Sequence, residues 1–141
     1  MAYATVQDLI DRFGQTELVR LTTPADQDLD GIVMPVAEAK LDDATAVIDS
    51  YVGRRYQVPM SVAPQVIVRA CCILARYDLA TGEQREPTEQ MRLQRQETMA
   101  WLRDVSIGTV VLELDEVAPG DESYAMASTR DAVYGSGGRW P

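Results

Sequence analysis

The chain has no histidine. With it go the usual general base, the commonest zinc and iron ligand, and any Ser–His or Cys–His nucleophile pair. Catalysis would have to rest on carboxylates, Lys, Tyr or Cys, and no Gly-rich phosphate loop accompanies them, so the sequence reads as a protein that is not an enzyme. A small carboxylate enzyme is a rival reading, and its mark would be a pocket holding a strongly perturbed carboxylate. Cysteine is scarce too: Cys71 and Cys72 are the only two. Neighbours in a helix point about 100° apart, so they do not easily bridge each other, and two thiols alone make a poor metal site. Set among Val66, Ile67, Val68, Ala70, Ile73 and Leu74, they read as buried small hydrophobes, with an adjacent redox pair as the alternative.

No apolar run approaches the roughly 18 residues needed to span a bilayer, so no membrane is expected. The first residues, Met1 to Asp8, carry neither a basic n-region nor an apolar h-region, which makes a cytoplasm the default place of synthesis. Positive charge is also in short supply, with 13 Lys and Arg against 22 Asp and Glu, a net charge of −9 and a pI near 4.4. Tight nonspecific binding of duplex DNA draws on neutralised phosphates, so DNA is not expected as a primary ligand. An acidic surface can nevertheless line a passage through which DNA slides.

What is present is a core. With 141 residues and 46% hydrophobic content, the chain suits one domain that buries about two thirds of its unfolded surface. Thr5-Val6-Gln7-Asp8 resembles a capping box and opens a short helix through Phe13, which Gly14 stops. Glu17–Leu21 offers another helical turn before Pro24. A long helix runs from Met34 or Pro35 to Val52, striped by Val36, Ala37, Leu41, Ala44, Val47, Ile48 and Tyr51. Gln57–Ala63 reads as an extended connection. Pro64 starts a third helix to about Ala80, apolar nearly all round and hence the central element. A fourth, from Pro87 to about Val105, is polar with a thin stripe of Thr98, Trp101, Leu102 and Val105, as at an edge or between subunits. Trp101 is either a lid on the core or an interface anchor. Thr109–Leu114 has strand character but nothing evident to pair with, so it pairs with a neighbour's chain or stays a loop. From Ala118 to Pro141 the composition is that of a segment mobile in isolation, although Tyr134, Arg139 and Trp140 are types favoured at interface hot spots.

Two groups of residues carry candidate chemistry. Asp26-Gln27-Asp28-Leu29-Asp30-Gly31 matches the opening of an EF-hand calcium loop, and Val33 fills the apolar eighth position. Ala37 stands where the bidentate Glu belongs, and Pro35 intrudes. A calcium-binding regulatory module is therefore the alternative function, and a solvated acidic loop the simpler reading. The second group is Ile48 to Met60, which crowds Asp49, Tyr51, Arg54, Arg55 and Tyr56 at one helix end, with Arg76 and Tyr77 ending the next helix. Lacking a nucleophile, the carboxylate–guanidinium set reads as a polar clamp between two helices.

The run from Asp43 through Tyr56, then Val58-Pro59-Met60, Pro64, the buried helix ending Ala75-Arg76-Tyr77-Asp78-Leu79, and Trp101-Leu102 before Gly108 resembles the small Mu-like phage head–tail connector proteins over roughly residues 5 to 112. The resemblance implies an all-α fold, a four-to-five-helix adaptor-like bundle at residues 1–117 with an extended C-terminal partner-binding tail at 118–141. It implies a virion structural protein made in the host cytoplasm and placed at the head–tail junction, with no cofactor or enzymatic activity. Its partners would be the portal protein, a tail-side connector or tail terminator, and copies of itself in a ring of about twelve through which DNA passes without sequence-specific binding. Asp49, Arg54, Arg55, Tyr56, Arg76 and Tyr77 would be architectural motif residues. Tyr134, Arg139 and Trp140 would bind the portal.

Overall fold

A computed structural model describes residues 1–82 and 85–114. The fold is all-α: α1 (Val6–Phe13), α2 (Gln15–Thr22), α3 (Met34–Val52), α4 (Gln65–Ala80) and α5 (Glu89–Ile107). The capping box forms at Thr5, whose hydroxyl accepts from Asp8 N while the Asp8 carboxylate accepts from Thr5 N. Gly14, at φ +92°, ends α1 and begins α2 in a single residue, a conformation that costs glycine little. The second segment is thus a full helix of 8 residues rather than one turn.

The α4 helix lies at the centre. It buries Ile67, Val68, Ala70, Cys71, Cys72, Ile73, Leu74 and Ala75, as its nearly continuous apolar sequence requires. Fully burying a Leu or Ile such as Leu9, Leu41, Ile48, Ile67 or Leu102 contributes roughly 1.5–3 kcal/mol. Helices α3 and α5 pack on α4 and on each other, and α1 and α2 pack on α3 and α4 from another side. At one end Leu21, Val36, Leu79, Ala80 and Met91 form a second small cluster. That cluster brings the start of α3 to the end of α4 and the start of α5, so α3, α4 and α5 run up, down and up.

Among the described residues no strand forms; Gly82 and Arg85 make an isolated bridge. Residues 109–114 keep the alternation of a strand. Val110, Leu112 and Leu114 pack on the core, while Val111 and Glu113 point outward. In place of a strand partner, Leu112 N donates to the buried Tyr56 hydroxyl at 2.9 Å, and Val110 N donates to Asp104 O at 3.2 Å.

Candidate functional site

The arginines and tyrosines at the ends of α3 and α4 do not form one clamp. Because α4 runs back along α3, the end of α3 and the end of α4 lie at opposite ends of the bundle. The expected meeting of Asp49, Arg54 and Arg55 with Arg76 therefore does not occur. Thr45 Oγ1 lies beside Cys71 Sγ, so in this antiparallel register Arg76 sits about nine residues, roughly 13 Å along the helix axis, beyond the level of Asp49. There are two polar centres instead.

The first is built on the end of α3. Asp49 accepts a hydrogen bond from the Tyr3 hydroxyl, which in turn accepts from Met60 N at 3.0 Å. Tyr3 N donates to Thr45 Oγ1 at 3.0 Å, and that hydroxyl donates to Leu41 O. The N-terminal segment is thereby strapped across α3, and the connection after α3 is held to the same ring. Burial, then the bond to Asp49, pushes the Tyr3 phenol up to about 12. Tyr56, almost wholly buried, fastens residues 109–114 through Leu112 N. The Arg55 guanidinium lies against Gly108, at φ +90°, beside the C-terminus of α5, where a cation complements the helix dipole. Arg54 is exposed.

The second centre is Arg76. Its Nε and Nη2 donate to the two Glu17 carboxylate oxygens at 2.8 and 3.0 Å, and its Nη1 donates to Gln94 Oε1 at 3.1 Å. The guanidinium also stacks over Phe13, with Cζ 4.3 Å from the ring centre. One side chain of α4 thus ties α1, α2 and α5 together with bidentate geometry. Tyr77 lies beneath Arg95, 5.0 Å from its Cζ. Next to it Asp78 is half-buried, and burial raises its carboxyl against the opposing pull of Lys40 and Arg95.

Sequence reasoning found Asp49, Tyr56 and Arg76 but missed their partners. Tyr3 lies 46 positions from Asp49, Leu112 lies 56 from Tyr56, and Glu17 and Gln94 lie 59 and 18 from Arg76, separations that carry no helical or strand period.

Two remaining candidates carry different outcomes. Asp26, Asp28 and Asp30 are exposed, and among the described residues no group of three or more His, Cys, Asp or Glu side chains gathers to hold a metal ion. The calcium reading of that loop lacks its converging donors. Cys71 and Cys72 are free and buried, and burial raises both thiols, Cys72 to about 12, as packing groups require. Tyr134, Arg139 and Trp140, the boundary at residues 117 and 118, and the tail beyond it lie outside the described residues.

Comparison with known proteins completes the picture. A family model described as Bacteriophage Mu, Gp36 matches residues 3–129. Gene product J of Escherichia phage Mu is 38% identical over 130 residues, which span 91% of this chain and 83% of that protein. The Mu-like prophage FluMu protein gp36 of Haemophilus influenzae is 36% identical over 136 residues, 94% of this chain and 92% of the relative.

Proposed function

This chain belongs to the Bacteriophage Mu Gp36 family, and from that premise we propose that it is a head–tail adaptor of a Mu-like virion. In this reading copies of the chain stand side by side as a ring on the portal, continue the DNA channel toward the tail and seat the next connector piece or the tail terminator. Its work is geometric rather than catalytic. The observation that carries the reading is how the motif residues are used. Asp49, through Tyr3, and Tyr56 and Arg76 join elements of the same chain and so hold its helices in one arrangement. A subunit that keeps one arrangement is what a closed ring of identical subunits needs. The net charge of −9 supports the same reading. A channel wall that repels phosphate lets a duplex slide, whereas a basic one would hold it.

Electron microscopy of the full-length chain mixed with its portal protein tests this directly. The expected image is a ring of chains capping one end of the portal and coaxial with its channel. Portals that stay bare when the chain is in excess would overturn the proposal.

A further inference from the structure

Two features of the surface remain without a role in the adaptor reading, and they fit each other. Between α4 and α5 runs a groove of about 260 Å³, lined by Val66, Arg69, Ala70, Glu97, Thr98 and Trp101 among others. Val66 is 49% exposed, and one helical turn before Glu97 the exposed Leu93 extends the apolar surface. The groove is smaller than the roughly 300–1,000 Å³ of small-molecule sites, and suits a protruding side chain better than a cofactor. Trp101, half-buried in its floor, is of a type that anchors interfaces.

The other feature is the loop between α2 and α3. Leu29 stands 62% exposed between Asp28 and Asp30. The base of the loop is fixed: Gln27 N donates to Pro24 O, Val33 N donates to Thr22 Oγ1, and the Arg85 guanidinium donates to Leu21 O and Thr23 O. Holding the base of the loop lowers the freedom that Leu29 must lose on docking.

We propose that the α4–α5 groove is the seat for the Asp26–Asp30 loop of a second copy of this chain, with Leu29 entering over Trp101 and a loop carboxylate meeting Arg69. The inference rests on the adaptor reading. Loop and groove are different patches of the same chain, so the contact they make is head-to-tail, the kind that closes rings rather than two-fold dimers. Asp28 and Asp30 turn toward the Arg69 wall and away from Glu97 on the other wall.

Full-length chains carrying Leu29→Cys, isotopically labelled, are mixed with unlabelled Val66→Cys chains, assembled on the portal and treated with a short bismaleimide. Both new thiols are exposed, and the buried native pair stays out of reach. The expected product is a covalent dimer of one labelled and one unlabelled chain, absent when either variant is assembled alone. In the same assembly, Arg69→Glu should lower ring occupancy roughly tenfold and Asp28→Arg in that chain should restore it. Val66→Cys chains that cross-link to each other, or intact rings without any cross-link, would overturn this contact and leave the adaptor reading standing. Portals bare of rings would remove both.

Discussion

Tyr3 shows how much one side chain can hold. It is the third residue of the sequence, yet its hydroxyl joins Asp49 to Met60 N and its backbone joins Thr45. Tyr3→Phe keeps the ring and removes the bridge, leaving a carboxylate and a backbone donor short of a partner. The expected cost is roughly 1–3 kcal/mol, read from the urea midpoint. The phenol's pH dependence has a definite sign. Its folded value, about 12, exceeds the ordinary value of 10.0, so its stabilisation is complete below about 10 and is lost as pH rises toward about 12. The Phe variant should lack that alkaline loss. Asp78 has the same sign in a lower pH range, because burial raises its carboxyl as well. The folded chain holds this proton to higher pH than the unfolded chain does, so stability falls as pH climbs from the unfolded value through the folded one. Asp78→Asn should therefore melt higher than the parent at pH 7, and the two should converge at acid pH.

Helices were the legible part of the sequence, because each has a period and a boundary signal. Gly108, at a left-handed φ, ends α5, and Ala37, Leu41, Ala44 and Ile48 of the α3 stripe are buried, while Val47 is exposed and Thr45 and Val52 complete the buried face. Direction was harder to read. Nothing in α3 or α4 taken singly says that the connection from Gln57 to Ala63 sends α4 back antiparallel, and that turn is what separates Arg76 from Asp49. Glu17 was likewise invisible as a partner because it pairs across 59 positions with no periodic signature. The alternation in Thr109–Leu114 was real, but a Tyr hydroxyl rather than a strand receives its central N–H. Tyr56→Phe should accordingly free residues 109–114 before the helices melt, seen as faster amide exchange at Leu112 and a loss of roughly 1–3 kcal/mol. Arg76→Ala acts on four helices at once. It strands the partly buried Glu17 carboxylate and Gln94 together, and about 2–3 kcal/mol is expected to be lost in chemical denaturation. Arg76→Lys should recover only part of this, since an ammonium cannot make the bidentate pair.

At the scale of the whole molecule, rigidity and portal attachment belong to different parts of the chain under the adaptor proposal. The described residues form a bundle whose polar side chains tie element to element, while the closing residues Tyr134, Arg139 and Trp140 belong to a Gly- and Ser-rich sequence with little apolar content to bury. Aromatic and guanidinium groups are types that anchor interfaces. If the last residues grip the portal, their removal leaves the bundle as it was and weakens only the grip. A chain ending at Val133 should keep the helical circular dichroism and the melting temperature of the full protein, and bind the portal at least tenfold more weakly, a loss of about 1.4 kcal/mol or more. Binding at full strength would place the portal contact on the helices instead, and a lowered melting temperature would mean that these residues pack on their own bundle.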